Sequence, residues 1–250
     1  MSDPAPRPRV AIMQPTFLPW LGYFALMAAV DRFVYLDDVQ LSRQSWQTRN
    51  RLKGPGGEIL VSLPVARKPA RVSIRDARIS DLRALAKLRR AIADSLGRAP
   101  HFRLVEGIID AGIAAADNGL CALNIALIEG VAEATGIATP RHRASDLGIG
   151  AESGRAGRLL DICRALGGRC YVSPPGALDY LEADDPFSGS DVALRFIDFH
   201  HPEHPQFHPP FLPFIAAIDA LAHVGPAGFR ALLERGTAGL RDRNALMAGR

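Results

Sequence analysis

Two short apolar segments on either side of a helical one occupy most of the first 40 residues and limit the folds open to this chain. Arg9–Met13 has the length and apolar character of a buried strand. Leu18–Val30 is predicted to be a helix, with Pro19 in the first turn, where a missing N–H costs nothing. Arg32–Leu36 is predicted to be a second strand, because it is rich in β-branched and aromatic residues. Two strands joined by one helix favour parallel pairing, so we expect a β-α-β unit here.

Beyond this unit, helical and strand-like segments alternate. Apolar residues at helical spacing predict three helices between about residues 81 and 136, and another helix over Ser153–Leu166. Residues 41–53 are predicted to form a polar, arginine-rich loop that leads into a turn. Further strands are predicted at Glu58–Val65, Arg71–Ile79, Arg169–Ser173 and Val192–Phe199, and further helices at Phe211–Ala222 and Pro226–Arg235. The expected fold class is α/β, with an N-terminal Rossmann-like parallel sheet and a helical section packed over its ligand-binding edge.

The composition is that of an ordinary water-soluble protein, with 48% hydrophobic and 22% charged residues. No apolar run approaches the roughly 18 to 20 residues of a membrane helix, so we expect no membrane insertion and a cytoplasmic location. Cys121, Cys163 and Cys170 lack the spacing of a zinc site or a disulfide framework and are expected to be buried thiols. The basic residues, nearly all arginine, are spread along the chain, so nucleic acid is not an expected partner. The sequence leaves the oligomeric state open.

The loops after the first two predicted strands carry residues expected to bind a ligand. Gln14 follows the first strand, and Asp37 and Asp38 follow the second. Because the carboxyl ends of parallel strands meet at one edge of a sheet, these side chains are expected to be neighbours. The two carboxylates suit a magnesium ion or sugar hydroxyls, and the alternative is that they cap a turn.

A second set of candidate residues follows in the segment Trp46–Arg51. Its two guanidinium groups and one amide suit recognition of phosphate or carboxylate, and the alternative is a solvated loop. Lys68 could reach a phosphate as a point charge, with an ordinary surface lysine as the alternative. The hypothesis that links both sets is that Gln14, Asp38 and Arg51 face one cleft that accepts an anion.

A set of short motifs is distributed along most of the chain. They are Val10–Pro15, Pro19 with Gly22–Phe24, Tyr35–Gln40, Trp46 with Arg49–Arg51, Ala99–Phe102, Leu123–Asn124, Ala144–Leu147, Tyr171–Ser173 with Gly176, Tyr180–Leu181, and Gln206 with Asp219. In combination they resemble the WbqC-like protein family of bacterial polysaccharide and natural-product gene clusters. Two departures are Pro174-Pro175 after Ser173, where the family tends to have glycine, and His204, where an aromatic residue is usual.

The resemblance covers about residues 9–225 and implies a single WbqC-like α/β domain with a helical section at about 81–136. Residues 226–250 are then expected to form a C-terminal helical tail.

The resemblance also implies a function and a set of site residues. The function is that of a transferase or ligase of surface-polysaccharide or specialised-metabolite biosynthesis, which forms an amide on an amino sugar or similar amine. The alternative is a non-catalytic protein of the same pathways that binds a sugar nucleotide, so in both cases the partner is a small-molecule or nucleotide-sugar substrate. The catalytic positions would be Gln14, Tyr23, Asp37 and Asp38. The positions that bind substrate or phosphate would be Trp46, Arg49, Asn50, Arg51, Lys68, Ser173 and Gln206.

A second likeness concerns the first strand–helix turn. Pro15–Tyr23 is similar to the turn of the nucleotidyltransferase and pantothenate-synthetase superfamily, in which a helix N-terminus faces the phosphates of ATP. This likeness implies ATP and Mg²⁺ as cofactors that activate a carboxylate, and otherwise no cofactor. Trp20 and Tyr23 stand where that superfamily has two histidines. The phosphate charge would therefore have to be met by arginines or by Lys68, together with Mg²⁺.

The remaining candidates for a catalytic or metal-binding role, four histidines and one serine, have simpler structural interpretations. His200, His201, His204 and His208 lie close together, but the intervening prolines exclude a helix that would aim two imidazoles at one metal ion. Incidental loop histidines are therefore expected, and no resident metal site is predicted. Ser173 lacks the elbow motif of a catalytic serine.

The Arg51→Ala variant tests the predicted anion site. If its guanidinium pairs with a ligand anion, the variant should bind that ligand about 1.5 to 3 kcal/mol more weakly. Isothermal titration calorimetry with sugar nucleotides measures this change. An unchanged affinity would assign the Arg-Asn-Arg segment to the ordinary surface.

Overall fold

The first β-α-β unit forms the centre of the molecule. In the computed structural model, which describes residues 8–42, 45–66 and 72–248, strand β1 (Arg9–Met13) pairs in parallel with β2 (Arg32–Tyr35). Helix α1 (Leu21–Ala28) joins them and begins three residues later than predicted. The reason is that Leu18 has a φ of 44°, a left-handed backbone conformation that cannot continue into a helix.

Six strands form the main sheet in the order β5-β2-β1-β6-β7-β8. The added strands are β5 (Arg141–Arg143), β6 (Cys170–Ser173), β7 (Ala193–Phe199) and β8 (Thr237–Arg241). All neighbours are parallel except β7 and β8, which are antiparallel. The strand order reverses between β1 and β6, which is the arrangement of a Rossmann-like sheet. The predicted α/β class with an N-terminal parallel sheet is therefore confirmed.

Both faces of the sheet are covered, which explains why its central strands β1, β2 and β6 are mostly apolar. One face contributes Ala11, Phe33 and Val172 to a large core that also includes α1 and the helical section. The opposite face contributes Ile12 and Tyr171 to a smaller core with helices α5 (Gly154–Ala165) and α6 (Leu178–Asp184).

Three successive helices form the helical section: α2 (Arg83–Leu96), α3 (Phe102–Ala115) and α4 (Leu120–Ala134). Helix α4 packs against α3 and lies beside the loop that follows β1, where Asn124 donates a hydrogen bond to the Pro15 carbonyl oxygen.

A two-stranded hairpin begins inside the segment predicted to be a polar loop, and its second strand corresponds to the strand predicted at Glu58–Val65. Strand β3 (Arg49–Gly54) pairs antiparallel with β4 (Gly57–Ser62), and both pack against α2. The loop prediction was wrong because β3 alternates between buried Asn50 and Leu52 and outward arginines, and the arginines hid the strand pattern. The predicted strand at 71–79 is also wrong in its described part, which contains a turn and isolated bridges.

The C-terminal segment differs most from its prediction. Helix α7 (Ile218–Gly236) starts seven residues later than the predicted helix at residue 211, because prolines interrupt the earlier residues. The segment predicted as a helical tail also contains β8, whose Arg241 forms an ion pair with Asp198 on β7. A short helix, α8 (Arg243–Ala248), follows. Within the described residues, no helix combines the length and the apolar character needed to cross a lipid bilayer.

The kink in α7 depends on the backbone conformation of Gly225, so we expect a substitution at this position to lower the stability of the fold. Gly225 has φ 68° and ψ −177°, a conformation that is essentially restricted to glycine. The Gly225→Ala variant should lose about 1 to 3 kcal/mol of unfolding free energy. Gly107 on α3 is the matched control, since open space surrounds it, and Gly107→Ala should gain up to about 1 kcal/mol. Urea denaturation of both variants measures the difference, and equal stabilities would contradict the strain argument.

Candidate active site at the carboxyl edge of the sheet

Asp37 joins the ends of β2 and β5. Its side chain is fully buried, and its two carboxylate oxygens accept hydrogen bonds from the Ser145 backbone N–H at 3.0 Å and the Ser145 hydroxyl at 2.9 Å. The backbone carbonyl of Asp37 also accepts from the Arg75 N–H at 2.7 Å. Both oxygens therefore already have partners within the fold.

Asp38 pairs with helix α5 on the side of the smaller core. Its Oδ2 lies 2.6 Å from Nη2 of Arg158, whose side chain is 9% exposed. The Oδ1 atom of Asp38 is buried and has no hydrogen-bond partner among the described residues. Neither carboxylate belongs to a group of three possible metal-binding side chains in the described part of the chain. This arrangement of Asp37 and Asp38 does not fit a Mg²⁺ ion.

A cavity of about 370 Å³ lies where β2 and β5 end, against helix α4. Its lining residues are Tyr35, Ile125, Glu129, Arg141, His142, Arg143, Asp146 and Leu147. Tyr35 and Arg143 are the last residues of their strands, so the cavity belongs to the carboxyl edge of the sheet. Ligands of open α/β sheets bind at this edge.

Glu129 is held in a fixed orientation at this cavity. The Tyr35 hydroxyl donates to its Oε1 at 2.7 Å, and Nε of Arg141 lies 2.9 Å from Oε1 and 2.7 Å from Oε2. Arg141 is itself anchored, because its Nη1 donates to the carbonyl oxygens of Ile137 and Thr139. Burial raises the pKa of Tyr35, so its phenol stays protonated and remains a donor to Glu129.

Arg143 and Asp146 complete the charged part of the lining. Both are exposed, and Arg143 makes no side-chain hydrogen bond or ion pair with the described residues. The cavity therefore combines a fixed carboxylate with an unpaired guanidinium. Sequence analysis missed it, because Glu129 lies on an ordinary amphipathic helix and β5 is too short to show a strand pattern.

Gln14, Tyr23 and Ser173 lie near the point where the strand order reverses. Gln14 is half-buried directly after β1, and its carbonyl oxygen accepts a hydrogen bond from the Tyr23 hydroxyl at 3.3 Å. Tyr23 is 2% exposed, and burial raises the pKa of its phenol, so it is a neutral group at physiological pH. Ser173 is the last residue of β6, fully buried, with a 3.4 Å contact to the Pro174 carbonyl oxygen.

Asn50 and Asn124 fasten the loop after β1. The Asn50 amide donates to the carbonyl oxygens of Phe17 and Leu18 at 2.9 and 2.7 Å. The Asn124 amide donates at 2.9 Å to those of Pro15 and Gln47. Asn50 thus has a structural partner for its NH₂ group, although sequence analysis predicted it to bind substrate.

Trp46, Arg49 and Arg51 form a separate cluster on the hairpin. The guanidinium carbons of Arg49 and Arg51 lie 5.9 and 5.2 Å from the Trp46 ring centre, and the indole is 47% exposed. Arg51 also contacts Glu58 at 3.2 Å and donates to the Phe214 carbonyl oxygen at 3.1 Å.

The hypothesis of a single cleft does not describe this geometry. Asp38 pairs with α5, Arg51 pairs with the hairpin, and neither lines the cavity. The first turn of α1 is also covered, because Trp20 bridges to Ala216 and the Ala217 N–H donates to Pro19. A phosphate therefore has no open access to that helix N-terminus. Lys68 lies outside the described residues.

A buried polar group next to α7 was also missed. Lys53 is 4% exposed and donates to Oε1 of Gln206 at 2.9 Å and to the Pro210 carbonyl oxygen. His204 lies 3.0 Å from Asp219, and both side chains are 2% exposed. His204 is thus not an incidental loop histidine, and that prediction was wrong. One signal for this group was present in the sequence: Gln206 and Asp219 were both among the motifs that resemble the family.

The cysteine thiols offer no activated nucleophile. Burial raises the pKa of Cys121 to about 12 and also raises that of Cys163, while Cys170 is buried as well. The raised pKa keeps the thiols of Cys121 and Cys163 protonated.

The fold and the cavity together define an α/β protein with a Rossmann-like sheet and a polar ligand pocket at its carboxyl edge. The chain belongs to the WbqC-like protein family, whose model matches residues 14–231. It is 28% identical over 220 residues to the uncharacterized protein Rv1507c of Mycobacterium tuberculosis strain H37Rv, which covers 87% of this chain and 94% of that protein. No solved structure shows significant similarity to the chain.

The Asn50 contacts lead to a prediction about stability. The Asn50→Ala variant leaves two buried carbonyl oxygens without donors, so it should lose about 1 to 3 kcal/mol of unfolding free energy. Asn244→Ala on the exposed face of α8 is the control and should change stability by less than about 0.5 kcal/mol. Chemical denaturation compares the two. A wild-type stability for Asn50→Ala would mean that the loop does not depend on this amide.

Proposed function

We propose that this protein is a transferase or ligase of surface-polysaccharide or specialised-metabolite biosynthesis that forms an amide on an amino sugar or similar amine. One observation carries the proposal: the cavity between α4 and β5 combines the oriented carboxylate of Glu129 with the unpaired guanidinium of Arg143. Family membership supports a role in polysaccharide biosynthesis, and the charged residues of the cavity support an amino sugar or similar amine as the acceptor.

The size and charge of the cavity suit a phosphorylated amino sugar or an amino-sugar nucleotide. Its volume of about 370 Å³ lies at the small end of the range for ligand pockets, which fits one sugar ring. A protonated amine or a hydroxyl can donate to Glu129, while a phosphate can pair with Arg143.

Amide formation requires the acceptor nitrogen to face the acyl carbon. The neutral amine attacks the acyl carbon and a C–N bond forms. The leaving group departs with the electron pair of its broken bond and takes up the proton that the nitrogen loses. Positioning of the amine supplies much of the rate in such a bimolecular step. In our proposal Glu129 does this, because Tyr35 and Arg141 already hold its carboxylate in place.

The alternative is a non-catalytic protein that binds a sugar nucleotide. The observation that favours it is the burial of the candidate nucleophiles: Ser173 is fully buried, and Cys121 has a raised pKa. A covalent acyl-enzyme therefore has no support among the described residues, and a transferase would need direct attack by the amine.

The Glu129→Gln variant tests the binding site. It should bind amino-sugar phosphates or UDP-linked amino sugars at least about tenfold more weakly, a loss of about 1.4 kcal/mol, measured by calorimetry. Glu133→Gln, on the exposed side of the same helix, should bind like the wild type. Arg143→Gln should weaken binding of the phosphorylated sugar and leave that of the free amino sugar unchanged.

If both cavity variants bind as tightly as the wild type, the cavity is not the acceptor site. Affinity lost in Arg51→Ala instead would move the site to the Trp46 cluster. Activation of the donor by ATP is a separate part of the proposal, which release of phosphate or pyrophosphate with a candidate acid and amine would support. Binding without amide product under any condition would favour the sugar-nucleotide binder.

A further inference from the structure

The β3–β4 hairpin exposes a free strand edge and an unusual number of apolar side chains. Within the described residues, β4 forms no backbone hydrogen bond with any segment other than β3. Of the exposed large apolar side chains, four lie on or beside this hairpin: Trp46, Ile59, Leu60 and Phe214. A long apolar edge strand without lysine or proline is a template for pairing with another strand.

The hairpin has one covered face and one open face. Leu52 and Val61 are buried on the face that packs against α2. On the open face Arg51 lies opposite Leu60 and Arg49 lies opposite Ser62. Leu60 is 55% exposed, so an apolar side chain stands at the middle of the free edge.

We propose that the free edge of β4 pairs antiparallel with β4 of a second copy of this chain, which gives a four-stranded sheet across a two-fold axis. Antiparallel pairing of a strand with itself satisfies the symmetry of an isologous dimer. The register that centres Leu60 on the axis places Glu58 opposite Ser62 of the second copy. It also places Ile59 opposite Val61, a favourable pair of β-branched residues.

The complementary charges of Arg49 and Glu58 favour a second copy of this chain as the partner, and they favour this register. Arg49 forms no ion pair with the described residues, and its Nε atom is buried without a partner. In the dimer, Glu58 of the second copy stands two strands from Arg49, about 10 Å across the sheet, with the small Ser62 between them. Both side chains are long enough to meet above that serine, so Glu58, whose Oε2 pairs with Arg51 of its own chain, offers its Oε1 to Arg49 of the other copy. The exposed Trp46 ring lies against Arg49 and Arg51 on the same face.

A disulfide at the two-fold axis tests the proposal directly. The three native cysteines are buried, so Leu60→Cys introduces an exposed thiol. Under mild oxidation this variant should form a dimer on a non-reducing gel, because its two thiols are neighbours across the axis. Leu82→Cys is the matched control, since Leu82 is 50% exposed on a different element, at the start of α2, and this variant should remain monomeric.

Sedimentation of the full-length protein gives the second measurement. The wild type should be a dimer that dissociates on dilution, Leu60→Lys should be monomeric, and Arg49→Gln should weaken the dimer about three- to tenfold. A monomeric wild type, a dimer that survives Leu60→Lys, or cross-linking of Leu60→Cys no better than that of Leu82→Cys would each overturn the proposal. The outcome is independent of the cavity variants, so it does not depend on the proposed function.

Discussion

Side-chain amides that satisfy buried carbonyl oxygens hold the carboxyl edge of the sheet together. The loop after β1 is buried, so its carbonyl groups cannot turn to water and need donors from the protein. Asn50 and Asn124 provide three such hydrogen bonds from two different elements, and Asn124 donates a fourth to the Gln47 carbonyl oxygen before β3. Through them the hairpin and helix α4 are both fixed to the central strand. The positions of the hairpin cluster and the cavity follow from these contacts.

The polar residues at the carboxyl edge of the sheet are of two kinds, structural residues and candidate ligand-binding residues. Asp37 has both carboxylate oxygens bonded to Ser145, so it maintains the junction of β2 and β5. Glu129 is also fixed by hydrogen bonds, but it borders an open cavity and can still accept a donor from a ligand. The difference between a structural carboxylate and a candidate binding carboxylate is therefore access, and access depends on the neighbouring elements.

Much of the fold was readable from local sequence pattern. The helices between residues 81 and 136 have strong helical periodicity, and the strands at Arg9, Arg32, Cys170 and Ala193 are short runs rich in apolar residues. Strand β3 was missed because arginines occupy its outward positions, whereas β4 corresponds to the strand predicted at Glu58–Val65. The strand β5 has three residues, which is too short for any period to appear, and it forms because β2 offers it an edge.

The candidate site was less predictable, because its parts are brought together by the tertiary fold. Gln14 and Asp37 were expected near one another, since both follow strands that end at one edge. Glu129, by contrast, comes from the middle of α4, and no local signal separates it from a solvated glutamate such as Glu133. Similarly, the contact of His204 with Asp219 spans 15 positions across proline-rich chain.

The central strand β1 acquires its two neighbours at very different times during translation. The first neighbour, β2, emerges from the ribosome shortly after β1, but the other side of β1 pairs with Cys170 and Tyr171. Until more than half of the chain has been synthesised, the nascent β1 therefore has one edge of backbone N–H and C=O groups without a partner strand. Completion of the sheet centre is therefore a late event, because it requires pairing of two strands that are about 160 residues apart in the sequence.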